Sequence, residues 1–212
     1  MDESKRDLFV DLWKRYFGDA ELPIAVFFAK ESAPKSASAG PDPCIISALP
    51  QVRAGKTLCL SATSPMCGGA KRYLGFIEGF GMPDFEYFLS YGIPGKLEGE
   101  RYKKSPEIVV FLAGLDTISG LFALANFDEV EPNGVMCPFG SGCASIVYHP
   151  YLESRSKRPR CVMGMFDISA RPCVGENTIS FAAPFAKFER MVENMDQSFL
   201  TTDSWKALRH RK

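Results

Sequence analysis

Two glycine-flanked cysteines carry the clearest potential for chemistry in this sequence. Cys67 is followed by Gly68 and Gly69, and Cys143 is preceded by Gly142. A thiolate is both a nucleophile and a ligand for soft or borderline metals, and either use requires an accessible sulfur. Glycine beside cysteine permits a close approach, because no side chain stands in the way. We therefore predict that these two loops belong to one functional site.

Further cysteines could complete that site. We expect Cys67 and Cys143 at helix N-termini, where the helix dipole favours a thiolate. Cys44, at the start of an earlier predicted helix, and Cys137 could join them as ligands if the fold brings the four together, although their spacing matches no common zinc or ferredoxin pattern. Cys59 and Cys161 lie in apolar segments typical of strands, which favours core packing. Core packing of all the thiols stays an alternative.

Three polar residues are candidates for ligand binding. Arg72 follows the Cys67 turn, and Asp167 and Arg171 lie where a predicted strand runs into a loop, a usual place for binding groups. For Asp167 and Arg171 the alternative is an ion pair or a capping carboxylate. Aromatic residues between positions 80 and 91 could line an apolar pocket, although packing is their more common role. The sequence has two histidines, which excludes a histidine-rich metal site.

The composition is that of an ordinary globular protein, with 46% apolar and 24% charged residues. Lysine plus arginine equals aspartate plus glutamate at 25 each, so no overall positive charge would attract nucleic acid. The first residues are charged rather than apolar, and no apolar run approaches the ~20 residues that cross a bilayer. We therefore expect no membrane partner and a cytoplasmic location, where thiols stay reduced. An odd count of seven cysteines also fits poorly with a complete disulfide framework.

Helices and strands that would position these residues alternate irregularly. Periodicity and breaker residues predict helices at 4–17, 44–54, 70–76, 84–89, 119–127, 144–148 and from 184 onward. Short apolar runs predict strands at 22–28, 57–61, 107–113, 161–167 and 178–181. We predict one α+β domain over residues 1–212, with a mixed β-sheet packed with helices, a flexible loop near 31–43 and a polar, frayed tail after about residue 200. The alternative is an α/β layered sandwich with a doubly wound sheet.

The order of several motifs resembles a known family. An amphipathic first helix precedes a Pro-Ile-Ala-Val-Phe-Phe strand, and the helix opened by Cys44 ends in Val-Arg-Ala-Gly-Lys. Then follow Cys67-Gly-Gly-Ala, Leu74-Gly-Phe, a Pro-Glu-Ile-Val-Val strand and a late Gly-Cys143 near Asp167 and Arg171. Together, over roughly residues 8–195, these motifs resemble the uncharacterised archaeal and bacterial family catalogued as domain of unknown function 169. The resemblance implies that Cys44, Cys67 and Cys143 occupy the family's cysteine-bearing segments, and it implies no activity.

These observations lead to two hypotheses about function. The first is a cytoplasmic, redox-active metal- or iron–sulfur-binding protein that holds zinc or a cluster by Cys44, Cys67, Cys137 and Cys143. The second is a small-molecule-binding module or non-metal enzyme with a pocket beside Cys67 and Arg171. The expected partner is a small molecule or a redox protein. A homodimer is an open alternative. The sequence assigns no catalytic residue or reaction.

Overall fold

Helices and strands fill most of the chain that the computed structural model describes, which is residues 3–29, 44–77, 82, 86–91, 105–131 and 133–210. The α-helices are α1 (Glu3–Phe17), α2 (Ile45–Arg53), α3 (Gly68–Tyr73), α4 (Leu115–Asn126), α5 (His149–Ser154), α6 (Phe185–Asn194) and α7 (Asp203–Arg209). The strands are β1 (Ile24–Ala29), β2 (Leu58–Leu60), β3 (Glu86–Tyr91), β4 (Ile108–Ala113), β5 (Val135–Met136), β6 (Cys161–Gly164) and β7 (Ile179–Pro184). A π-helix (Ala144–Tyr148) runs directly into α5, and three short 3₁₀ turns cover Arg171–Cys173, Met195–Gln197 and Phe199–Thr201.

One mixed sheet forms the centre of the described part of the chain, with the strand order β2-β3-β1-β4-β7-β6-β5. The β5–β6 pair is parallel and the other pairs are antiparallel. Alternate residues of a strand face opposite sides of a sheet, and β4 accordingly contributes Val110 to one core and Phe111 to the other. The first core packs α2, α3 and the π-helix, and the second packs α1, α4, α6 and α7. The predicted α+β fold with a mixed sheet is confirmed.

Helix α1 has the aromatic face that the sequence predicts. The Trp13 ring lies 4.2 Å from Phe17 and 5.0 Å from Phe111 of β4, measured between ring centroids. Stacked aromatic side chains of this kind bury large apolar areas and fix the helix against the sheet. The helix ends at Gly18, whose φ of +59° is a left-handed conformation that glycine adopts without a steric penalty.

Two predicted segments differ from the structure. The helix predicted at 84–89 is wrong, because β3 pairs with both β1 and β2 there and the pairing outweighs the local helical pattern; residues 84 and 85 lie outside the described residues. The predicted frayed tail instead forms α7, because Trp205 is 2% exposed and its indole N–H donates to the carbonyl of Tyr16 over 2.9 Å. The predicted loop at 31–43 lies outside the described residues.

Several helix and strand ends also differ from their predicted positions. Helix α4 begins at Leu115, earlier than predicted, and β6 ends at Gly164, earlier than predicted. Strand β7 extends to Pro184, which closes the strand and precedes α6 instead of lying in its first turn. Among the described residues, no helix is both long and apolar enough to span a bilayer.

A buried lysine links α6 to the segment after α4. The Lys187 side chain is 0% exposed, and its ammonium lies 3.2 Å from Asp128 and also contacts Glu129. Arg190 lies 3.5 Å from the same Glu129 carboxylate. A buried charge requires partners of this kind, because an unpaired ion inside a protein loses its hydration without compensation.

We predict that Lys187→Ala destabilises the fold by about 3 kcal/mol, because two carboxylates lose their main buried partner. Urea unfolding measures this change. Lys5→Ala is the control, since the Lys5–Glu189 pair is 3.5 Å long and half of the Lys5 side chain is exposed; we expect a loss below about 1 kcal/mol there. If Lys187→Ala and Lys5→Ala lower the free energy of unfolding equally, the contacts of Lys187 with Asp128 and Glu129 do not stabilise the fold.

Candidate functional site

Cys143 lies in the first turn of the helix formed by the π-helix and α5, which we call the π–α5 helix. The Ser141 hydroxyl accepts the Ala144 N–H over 3.3 Å, and the Ser141 carbonyl accepts the Ser145 N–H over 3.2 Å, so Ser141 caps this helix. Pro150 has no N–H and its ring would clash with the carbonyl four residues earlier, a conflict that the wider π-helical turn relieves. The predicted position of Cys143 at a helix N-terminus is confirmed.

Two glycines set how closely this helix approaches the sheet. A Cβ atom on Gly142 would lie 3.0 Å from the Ala170 Cβ and 3.1 Å from the Ile46 Cγ1. A Cβ atom on Gly164, at the end of β6, would lie 2.1 Å from the Ser145 Cβ. Ordinary carbon contacts are 3.5–4 Å, so a Cβ would clash at Gly164 and would require small shifts of its neighbours at Gly142. The helix start therefore rests directly on β6 and the loop that follows it.

Two other chain segments bring thiols to the same place. Cys44 is the residue before α2, and Ile46 of α2 is the side chain that contacts Gly142. Cys67 is the residue before α3, and α3 packs on the π–α5 helix, where the Tyr73 and Tyr148 ring centroids are 5.7 Å apart.

The Cys143 thiol interacts electrostatically with both Cys44 and Cys67. Cysteines from three segments, each at the start of a helix, thus lie within electrostatic range of Cys143.

The three thiols differ in their exposure. Cys143 is buried, Cys44 is half-buried, and Cys67 is exposed, with its sulfur accepting the Ala70 N–H over 3.4 Å. Burial raises the pKa of the Cys143 thiol well above its ordinary value, and the neighbouring Cys44 and Cys67 raise it further. Cys143 is therefore a neutral thiol at neutral pH, and Cys67 is the most exposed of the three thiols.

Asp167 anchors the loop after β6 to the helix start. Its carboxylate accepts the Gly142 N–H over 3.2 Å, and it accepts the Ser169 N–H and hydroxyl over 2.9 and 2.7 Å. Burial alone would raise the pKa of Asp167, but these hydrogen bonds and one from Ala170 outweigh it and lower the pKa. Asp167 is the capping carboxylate that the sequence allowed as an alternative to ligand binding.

The two predicted arginines are placed differently from each other. The Arg171 guanidinium donates to the carbonyls of Thr178 and Glu176, and to that of Gly175 over 3.3 Å, so it closes its own loop. Arg72 is exposed in the last turn of α3.

The aromatic cluster predicted between 80 and 91 lies outside the described side chains. The pocket beside Cys67 and Arg171 stays a prediction, with most of the Arg171 donors already engaged.

The four-cysteine ligand set is not assembled. Cys137 is exposed just after β5, and the electrostatic neighbours of Cys143 are Cys44, Cys67 and Asp167. Across the described ranges, no group of three or more His, Cys, Asp or Glu side chains is placed so that it could hold a metal ion. Cys59 and Cys161 are buried in β2 and β6, which confirms that they pack in the cores.

Sequence reasoning did not find several residues that shape the site. No sequence motif predicts the roles of Ser141, Ser145 and Gly164, because these roles depend on contacts between distant segments. Met165 is 1% exposed and has a φ of +71°, a conformation that the sequence gives no signal for. His149 lies one turn beyond Ser145, and burial lowers its pKa, with Glu153 opposing the change.

We predict that Asp167→Asn lowers the free energy of unfolding at pH 7 by about 1 kcal/mol, because an amide has one acceptor oxygen for the donors that the carboxylate holds. A carboxyl with a lowered pKa stabilises the fold above its unfolded pKa of about 4 and loses that effect as the pH falls through its folded pKa. The difference from wild type should therefore shrink in acid, as measured by urea unfolding at several pH values.

Asp19→Asn is the control for this prediction. Asp19 is exposed and forms no hydrogen bond within the described residues, so its variant should match wild type at every pH. If Asp167→Asn lowers the free energy of unfolding by the same amount at every pH, the charge of the Asp167 carboxylate is not the cause of the lower stability.

The comparisons with known proteins add one match. The family model of domain of unknown function 169, described as "Uncharacterised ArCR", matches residues 96–194. This range includes Cys137, Cys143, Asp167 and Arg171, and the segments with Cys44 and Cys67 precede it. No curated protein and no solved structure shows significant similarity to the chain. Residues 96–194 are thus similar to domain of unknown function 169, and over those residues the resemblance drawn from the motifs is confirmed.

Proposed function

We propose that this protein binds a thiophilic metal ion through Cys44, Cys67 and Cys143. The observation that carries the proposal is that the Cys143 thiol, at the start of the π–α5 helix, interacts electrostatically with Cys44 and Cys67 from two other chain segments. Cysteine thiolates are the ligands that soft and borderline metals prefer in proteins. A cytoplasmic location, where thiols stay reduced, belongs to the proposal, and all seven cysteines are thiols in this structure.

Metal binding explains the environment of Cys143 better than nucleophilic catalysis does. A catalytic cysteine works as a thiolate, whereas burial keeps the Cys143 thiol protonated by raising its pKa. A metal ion deprotonates a coordinating thiol outright. The same ion would relieve the repulsion between thiolates that contributes to the raised pKa of Cys143. The buried thiol is therefore suited to a cationic partner.

The exposed thiol provides the route by which an ion would enter. Cys67 precedes a six-residue helix that begins with Gly68 and Gly69. No described atom lies within 4 Å of the position that a Cβ on Gly68 would occupy. Because no group of three ligands is already placed for an ion within the described residues, binding requires Cys67 to move toward Cys44 and Cys143. The two glycines provide backbone freedom for that movement.

Zinc and iron–sulfur clusters usually take four protein ligands. Cys137 belongs to the loop that leads into the π–α5 helix, and it is the thiol that such a site would recruit. An iron–sulfur cluster would add redox activity and require a redox partner protein. Metal analysis of the variants below distinguishes a three-thiol site from a four-thiol site.

We expect Cys44→Ser, Cys67→Ser and Cys143→Ser each to weaken metal binding by at least about 100-fold, because each removes a ligand. The measurement is metal content by mass spectrometry after anaerobic purification and after reconstitution with Zn(II), Fe(II) with sulfide, or Cu(I). Cys59→Ala is the control, since Cys59 is buried in β2. Equal metal content in all variants, or a wild-type protein that retains none of these metals, would contradict the proposal.

Cys137→Ser decides between the two ligand sets in the same experiment. Unchanged metal retention would support the three-thiol site, and a loss as large as that of Cys143→Ser would support the four-thiol set. Circular dichroism of each variant verifies that the fold is intact.

We also predict that the apparent metal affinity rises with pH. The pKa of Cys143 is raised, so its proton must leave when the metal binds, and each displaced proton adds about tenfold in affinity per pH unit. Competition with a chromophoric chelator between about pH 6 and pH 8 measures this slope. Cys143→Ser should lower the slope by about one proton. A slope that is the same in wild type and variant would show that Cys143 is not a ligand.

A further inference from the structure

An open cavity lies between the end of α1 and α7, on the side of the sheet that has the second core. Its volume of about 380 Å³ is in the range of small-molecule sites, which usually measure about 300–1,000 Å³. The side chains of Cys44 and Cys143 pack in the first core, on the other side of the sheet. The cavity is therefore separate from the proposed metal site.

Basic side chains dominate the lining of this cavity. They are Arg15, Lys206, Arg209 and His210. No described lining residue is acidic. Two of the cations have carboxylate partners outside the lining, because Arg15 lies 3.1 Å from Asp196 and Lys206 lies 2.9 Å from Asp203. Arg209 forms no hydrogen bond or ion pair with the residues that the structure describes, so its positive charge lacks a counter-charge among them.

The end of α1 holds Arg209 in place. A Cβ atom on Gly18 would lie 2.0 Å from the Arg209 Nη2, so the guanidinium packs directly over the Gly18 backbone. Trp205, one turn earlier in α7, donates its indole N–H to the Tyr16 carbonyl over 2.9 Å. These contacts fix α7 against α1, and a group that is already in position loses less entropy when it binds a ligand.

An apolar surface lies beside the basic groups. Leu200 and Trp205 line the cavity and belong to the second core, with 1% and 2% of their surfaces exposed. The Trp205 ring is held by Phe17 at 5.4 Å and by Phe199 at 5.6 Å, measured between ring centroids. The cavity therefore combines a rigid apolar base with a cation that has no partner among the described residues.

We propose that this cavity binds a small organic carboxylate with an aromatic body. The carboxylate binds to the Arg209 guanidinium, whose parallel N–H donors match its two oxygens. The aromatic body lies against Trp205 and Leu200, where it removes apolar surface from water. One unbalanced positive charge suits a monoanion better than a dianionic phosphate, because the other two lining cations that carry a full charge already pair with carboxylates.

The test compares 2-naphthoate with 2-naphthamide, which share a ring system and differ in charge. The chain has two tryptophans, whose indole N–H groups give two NMR signals that Trp205→Phe assigns. We expect 2-naphthoate to shift the Trp205 signal of the wild-type protein in a saturable titration. We expect 2-naphthamide to bind at least about 10-fold more weakly, because it cannot form charge-assisted hydrogen bonds with Arg209.

Arg209→Gln should weaken 2-naphthoate binding by about 10-fold or more, because it removes the guanidinium. Lys14→Gln is the matched control. Lys14 is an exposed cation in the last turn of α1 that does not line the cavity, so this variant has the same net charge as Arg209→Gln and should bind like wild type. The comparison of the two ligands uses the wild-type chain, so it stands even if Arg209→Gln does not fold.

Several results would overturn the inference. Equal affinity for 2-naphthoate and 2-naphthamide refutes an anionic ligand, and inorganic phosphate that binds as tightly as 2-naphthoate refutes the aromatic body. If Arg209→Gln lowers the free energy of unfolding and leaves 2-naphthoate affinity unchanged, Arg209 only covers the end of α1. A Trp205 signal that millimolar 2-naphthoate does not move refutes the site. None of these results bears on metal binding by the thiols.

Discussion

The candidate site depends on the absence of side chains at two positions. Gly142 and Gly164 let the π–α5 helix rest on β6 and on the loop after it, with a close approach to Ala170 and one to Ser145 that a side chain at Gly164 would prevent. Packed interiors tolerate little volume change, so these contacts limit how far the helix start can move relative to the sheet. Cys143 is placed by that contact, α3 after Cys67 packs on the same helix, and α2 after Cys44 packs in the same core.

The sheet divides the buried cysteines between two environments. Cys161 of β6 faces the second core, where its sulfur lies 3.6 Å from that of Met191, and burial is the main cause of its raised pKa, with Lys187 opposing it. Cys143 faces the first core, and other thiols contribute to its raised pKa. Both are buried to a similar degree, but the thiol neighbours of Cys143 are cysteines, whereas the charged neighbours of Cys161 are Lys187, Arg190, Asp128 and Glu129. Neighbours, and not burial, distinguish a candidate ligand from a packing residue here.

Local polar contacts stabilise the site without occupying it. Ser141 caps the π–α5 helix, Ser145 donates to the Gly142 carbonyl over 2.8 Å, and Asp167 accepts the Gly142 N–H. Arg171 closes the loop before β7 with donors that reach three carbonyls. Each of these groups satisfies backbone atoms that burial would otherwise leave unpaired. The thiols are therefore held on a scaffold whose own hydrogen bonds are largely complete.

Features that depend on local residue pattern could be predicted from the sequence. The aromatic period of α1, the apolar run of β4 and the glycine-flanked Cys67 and Cys143 each predicted an element or a helix start that the structure has. These features follow from residues within a few positions of each other, so chain neighbours alone carry the information.

Tertiary structure decided what depends on distant pairing. Residues 86–91 form a strand because β1 and β2 pair with them. Residues 203–209 form a helix because Trp205 packs against Phe17 and donates to the Tyr16 carbonyl. Helix packing likewise set the surroundings of the thiols. Cys44 lies within electrostatic range of Cys143, whereas Cys137, much nearer to Cys143 in the chain, stays exposed. The reason is that spacing along a chain does not measure distance once helices pack across a sheet.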